Sequence, residues 1–146
     1  MISLGLDFFA QYGTVANPIS NDMISFYEVF RQGTNISLEE EKTMILQPGY
    51  LYLINYVFLG TPEPDGYIQI LPHINHQPGL LYSTFSSSAN TRNASVAASF
   101  TTNAAWNDAA VLEFMLTYSE TTRNINISGT VSITPIIAKR KGNLCR

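Results

Sequence analysis

One stretch, Pro48–Gly60 (PGYLYLINYVFLG), constrains the fold more than any other. It opens on a Pro-Gly turn signal, closes on Gly60, and carries no charge between them. Tyr, Val, Ile and Phe favour a pleated strand, and the run is too short for a bilayer-spanning helix, which needs about 20 apolar residues. A strand with one wet face alternates apolar with polar residues. This one does not. One face carries Tyr50, Tyr52, Ile54, Tyr56 and Phe58; the other carries Leu51, Leu53, Asn55, Val57 and Leu59. Both faces call for cover, so the architecture turns on what covers the second.

Size and charge narrow the possibilities. At 146 residues the chain is read as one domain with one core, residues 1–138, followed by a basic, flexible tail over 139–146. Hydrophobic residues reach 45% while charged residues are only 13%, a balance that argues against disorder and for surface hidden against partners. A net charge of −3 gives no case for nucleic acid. The tail collects Lys139, Arg140, Lys141 and Arg146, half of the eight basic residues. The single cysteine, Cys145, rules out an intrachain disulfide and a multi-cysteine metal site. Met1–Gly5 lacks the basic start and long apolar run of a signal peptide. The expectation is a cytosolic chain, a piece of a longer protein, or one delivered without a signal.

Strand-like segments follow one another between turn signals. They are Ile2–Tyr12, Met23–Phe30, Thr43–Gln47, the central stretch, Tyr67–Asn75, Leu80–Ser88, Ala94–Thr102, Ala110–Ser119 and Ile125–Ala138. Gly13–Asp22 and Thr61–Gly66 read as loops, and Glu39-Glu40-Glu41 as a charged turn. Pro72 predicts an edge strand or a bulge. About eight to ten strands with no long helix predict an all-β, two-sheet antiparallel sandwich or jelly roll.

Little in the chain offers chemistry. His73 and His76 stand at i, i+3, which on a strand points the rings to opposite faces, whereas a metal pair prefers i, i+2. Glu63 and Asp65 flank Pro64 and are read as turn carboxylates rather than a calcium site. Asp108 has the same standing. Phosphate-binding glycine loops and nucleophile elbows are missing from the sequence. Three N-x-S triplets, at Asn35, Asn93 and Asn126, are read as chance. The expectation is a protein that is not an enzyme, with no cofactor and no metal.

The order of features resembles a known group. Leu6-Asp7-Phe8-Phe9-Ala10 is followed by a polar loop and by a G-x-[YL]-x-[LV]-x-x-x-[VF] strand beginning at Gly49. The chain then closes on Gly129-Thr130-Val131-Ser132-Ile133-Thr134-Pro135-Ile136-Ile137. Over residues 6 to 138 this resembles the carboxy-terminal globular head of bacterial collagen-like exosporium glycoproteins (BclA-like), within the C1q/TNF-like jelly rolls. The group's aromatic two residues after the opening glycine is Leu51 here, flanked by Tyr50 and Tyr52. The resemblance implies a homotrimer whose central strand turns one face to the protomer core and the other to the threefold axis. It places Leu51, Leu53 and Val57 in the core, with Phe9 and Ile133, and sets Tyr50, Tyr52, Ile54, Tyr56 and Phe58 at the trimer interface.

Energetics points the same way, since leaving five large side chains in water forgoes roughly 1.5–3 kcal/mol each. The alternative cover is loops of the same protomer. The function expected is a structural or interaction head on a bacterial spore surface, exosporium or cell surface, without membrane insertion. Its rival is a host- or glycan-recognising head, a phage tail-fibre tip or adhesin, with a surface protein or glycan as ligand and Trp106 as a contact. A cupin-like metalloenzyme would need the His-x-His pair that this chain lacks.

Overall fold

A computed structural model describes residues 7–122 and 125–140. Twelve strands form among them: β1 (Phe9–Ala16), β2 (Asp22–Met23), β3 (Tyr27–Gln32), β4 (Ile36–Glu39), β5 (Thr43–Leu46) and β6 (Tyr50–Gly60). The rest are β7 (Tyr67–Ile74), β8 (Gln77–Pro78), β9 (Thr84–Ser87), β10 (Ala94–Thr102), β11 (Ala110–Tyr118) and β12 (Ile127–Ala138). A single 3₁₀ turn, Leu80–Tyr82, precedes β9.

Every pairing between these strands is antiparallel. One sheet has five strands in the order β10-β6-β12-β1-β3. The other runs β4-β5-β11-β7-β8, with β2 paired to β11 and β9 to β7. The predicted all-β sandwich of two antiparallel sheets is therefore the observed architecture.

The core lies between the sheets. Tyr56 and Phe58 of β6 meet Phe114 of β11 at centroid distances of 5.4 and 5.9 Å, and Phe26 closes the cluster 5.9 Å from Phe114. Tilted and edge-on pairs of this kind add about 0.5–1.5 kcal/mol each beyond the area they bury. Ile54, Ile68, Ile70, Leu112, Leu116, Val131 and Ile133 fill the space around them. At the sandwich edge Tyr82 stacks flat on Phe100, centroids 4.1 Å apart, and joins the 3₁₀ turn to β10.

Several local expectations need correction. Gly13 reads as a loop signal, yet β1 runs through it to Ala16. This glycine serves packing. A Cβ there would lie 3.0 Å from the Tyr27 ring and 3.1 Å from Val29. Met23–Phe30 is two short strands in different sheets, because residues 24–26 carry the chain from one layer to the other. Leu80–Ser88 begins as the 3₁₀ turn and becomes strand only at Thr84.

Pro72 is neither at an edge nor at a register shift. β7 lies between β11 and the β8/β9 pair, and Pro72 stands opposite Phe114. A strand residue's N and O point to the same side. The Pro72 oxygen accepts from the Gly79 amide at 2.7 Å, so the absent N–H faces the turn between β8 and β9, where the ladder is already interrupted. The last basic stretch also starts inside the fold. The Lys139 amide donates to Gly49 O at 2.8 Å and its Nζ to Asn107 Oδ1 at 2.5 Å. Residues 141–146, including Cys145, lie outside the described residues.

Candidate interaction face

The two sides of β6 divide cleanly, in the opposite sense to the one predicted. Tyr52, Ile54, Tyr56 and Phe58 are buried inside the protomer, and Tyr50 packs against the same core. Leu51 and Leu53 are half-buried, while Asn55, Val57 (44%) and Leu59 (56%) are exposed. The assignment of Tyr50, Tyr52, Ile54, Tyr56 and Phe58 to an interface is thus overturned, as is that of Leu51, Leu53 and Val57 to the core.

The physical reason lies in the tyrosine hydroxyls. A buried phenol must find a partner. Tyr52 Oη donates to Gln47 O at 2.7 Å. Tyr56 Oη donates to Tyr82 O at 2.5 Å and lies 2.8 Å from Thr84 Oγ1. Loops and the far sheet receive these tips, so the bulky side belongs inside. Burial raises the pKa of Tyr52 and Tyr56, and pushes Tyr12 up to about 12. Tyr12 Oη and Thr14 Oγ1 are buried without a partner in the protein.

Phe9 is a second correction. Phe8 is the core residue, while Phe9 turns outward and meets Phe30 at 6.2 Å. Ile133 lies in the core, fully buried.

The outward side of the five-stranded sheet is assembled from these strands in register. Val57 stands between Ala97 of β10 and Thr130 of β12, Asn55 between Ser99 and Ser132, and Leu53 between Thr101 and Thr134. β6 therefore raises a row of large apolar side chains between two rows of small ones. Across β1, the strand β3 adds exposed Tyr27, Val29 and Phe30. β1, β6, β10 and β12 contain no charged residue, and β3 contains only Glu28 and Arg31, which pair with each other at 2.9 Å. The sequence places a strand over Met23–Phe30, but the exposure of Tyr27, Val29 and Phe30 depends on which sheet β3 joins, which no local signal shows.

The other candidates are held in local pairs. His73 is buried with Nδ1 3.1 Å from Leu71 O, and the exposed His76 sits 3.3 Å from Glu113 Oε1. Glu63 faces Arg92 at 3.6 Å. Asp65 occupies a left-handed turn position at φ 64°. Among the described residues no group of three or more His, Cys, Asp or Glu could hold a metal ion. Trp106 is half-buried beside Leu51, Asn103 and Ile137 in a cleft of about 240 Å³ at one end of the outward face. Asn93 and Asn126 are exposed and Asn35 half-buried. No helix among the described residues is long and apolar enough to cross a membrane.

No protein-family model matches the chain, and no curated protein is similar to it in sequence. Solved structures are similar in shape. The Eiger TNF from S. frugiperda superposes with a TM-score of 0.60 at 10% identity, over 95% of this chain and 98% of that one. The globular domain of zebrafish complement 1qA protein gives 0.57 at 8%, over 90% and 98%. The PRD1 vertex protein P5 gives 0.56 at 13%, over 91% and 99%. At such identities the likeness concerns the fold, which is a C1q/TNF-like jelly roll.

Proposed function

We propose that this chain is a non-enzymatic head domain that works as a homotrimer, closed through the outward side of the five-stranded sheet. The observation that carries the reading is four adjacent strands without a charge, whose outward side presents exposed Val57 and Leu59 beside half-buried Leu53. Exposed apolar side chains gathered on an uncharged sheet face mark an interaction site, and a closed cyclic contact covers them. The trimer implied by the sequence resemblance uses this sheet, with the two sides of β6 exchanged from the sequence prediction. Three copies of one surface held together would act by shape and avidity.

On the same resemblance, the place of work is a bacterial spore surface, exosporium or cell surface, with the head as a structural and contact element. Sedimentation equilibrium at micromolar concentration tests the core of the reading. The expected particle has three times the 16.2 kDa protomer mass. A monomer would overturn it.

A second reading keeps the fold and makes the head a receptor- or glycan-binding tip. It is favoured by the half-buried Trp106 in its cleft and by the likeness to a vertex protein. Glycan-array binding that disappears in Trp106→Ala would select it; an inert array would leave the structural role.

A further inference from the structure

We infer that Asn55 fixes the stoichiometry and register of the assembly: in the closed trimer its three copies converge and hydrogen-bond to one another and to the flanking Ser99 and Ser132 hydroxyls. This inference rests on the trimer reading above.

Asn55 is the one amide in the outward row of β6, with Leu51 and Leu53 before it and Val57 and Leu59 after it. Its direct cross-strand neighbours are Ser99 on β10 and Ser132 on β12, and the same rung continues to Gln11 on β1. Residues directly opposite in an antiparallel pair have Cβ atoms about 4.5–5.5 Å apart, so the four polar side chains form one band across the face. Among the described residues none of the four makes a side-chain hydrogen bond. On the other sheet, by contrast, several polar outward side chains are paired laterally. Thr43 donates to Glu113 at 2.7 Å and Thr117 to Gln69 at 3.2 Å.

The occupant of the face is a second copy because the face carries both halves of a contact. Beside Leu53, Asn55 and Val57 the β10 and β12 rows carry only Ala97, Ser99, Thr101, Thr130, Ser132 and Thr134, while opposite Leu51 β12 carries the exposed Ile137. An apolar ridge against small side chains slides easily by one rung. The Asn55 band does not. In a closed ring every copy stands at the same height, so Asn55 meets its own copies, whereas a contact slipped by two residues does not close and buries each amide unpaired against Leu53 or Val57 of its neighbour. In coiled coils a single polar residue in the apolar seam specifies register and oligomer number at a cost in stability, and Asn55 is placed to act in the same way here.

Two substitutions test this by native mass spectrometry and sedimentation, with circular dichroism reporting the protomer fold. N55L should keep the fold, lower the concentration of half-dissociation by about tenfold, and yield more than one stoichiometry. N55D should raise that concentration about tenfold or more at pH 7, because three carboxylates then share one site. The trimer should return as pH falls through about 4. β10, β12 and β1 bring no titratable side chain to the outward position, and the face otherwise carries only the Glu28–Arg31 pair on β3, so the recovery in N55D is read against wild type over the same pH range. A single trimeric species in N55L, or an N55D trimer of unchanged affinity at pH 7, overturns the inference and leaves the trimer standing. Loss of the β-sheet signal in either variant would place Asn55 in the core and also overturn it. A wild-type monomer overturns the trimer itself.

Discussion

The outward sides of the two sheets use polar residues in different ways. On the seven-stranded sheet the polar side chains at its centre are spent within the protomer: Glu113 takes Thr43 and faces His76, and Gln69 joins Thr117 and Ser83. On the five-stranded sheet Asn55, Ser99 and Ser132 remain unpaired beside exposed Val57 and Leu59. The first surface is finished by one chain. The second is half of something, and the difference lies in pairing and charge more than in hydrophobicity.

Substitutions can break this contrast, starting with the interior that both faces depend on. Phe58→Ala, which removes a ring packed on Phe26, Tyr56 and Phe114, should cost about 3–5 kcal/mol in urea unfolding. A cost below 1 kcal/mol would mean that the inward assignment is wrong. Tyr52→Phe leaves Gln47 O without its donor and should cost about 1–2 kcal/mol by the same measurement. On the unfinished face Val57→Lys should change protomer stability by no more than about 0.5 kcal/mol, yet leave a monomer in sedimentation. On the finished face Glu113→Gln should alter neither assembly nor, beyond about 1 kcal/mol, stability; its dissociating the oligomer would mean that the wrong sheet has been chosen.

Alkali provides a further test of the inward side. Tyrosine in the unfolded chain titrates near 10, whereas burial holds Tyr12 at about 12 and raises Tyr52 and Tyr56 as well. The folded state thus keeps protons that the unfolded state gives up. This contribution to stability is complete below pH 10, declines as pH rises above it, and is gone once the raised folded values are passed. Part of the phenolate absorbance should appear only with loss of the β-sheet signal, since exposed tyrosines such as Tyr27 ionise in the folded protein. Tyr52→Phe should flatten the decline; complete ionisation of all eight tyrosines in a protein that stays folded would contradict the burial.

Strand positions were largely legible in the sequence because alternation and turn residues are local signals. Ala94–Thr102 is β10 to the residue, and Ala110–Ser119 overshoots β11 by one. The Glu39–Glu41 turn is present, with Glu40 and Glu41 at positive φ. β4 was missed because Ile36–Glu39 is short and holds only two apolar residues. The faces of β6 were not legible. Both carry large apolar side chains, and the choice depends on whether Gln47, Tyr82 and Thr84 stand where a tyrosine hydroxyl can reach them, which is a tertiary fact. Leu51 in place of the expected aromatic, with tyrosines one position to either side, was the available warning.

The position of β12 has a consequence for biosynthesis. It is the last strand among the described residues, yet it fills the middle of the five-stranded sheet between β6 and β1. A ribosome that has released β1, β6 and β10 has therefore released a sheet with an empty slot, two uncharged edges and nothing to close them. Folding of this layer waits for Ile127–Ala138 to emerge, so the interval before that is when a stray strand from another polypeptide competes best. A stop codon ahead of β12 should give an insoluble product instead of a smaller head.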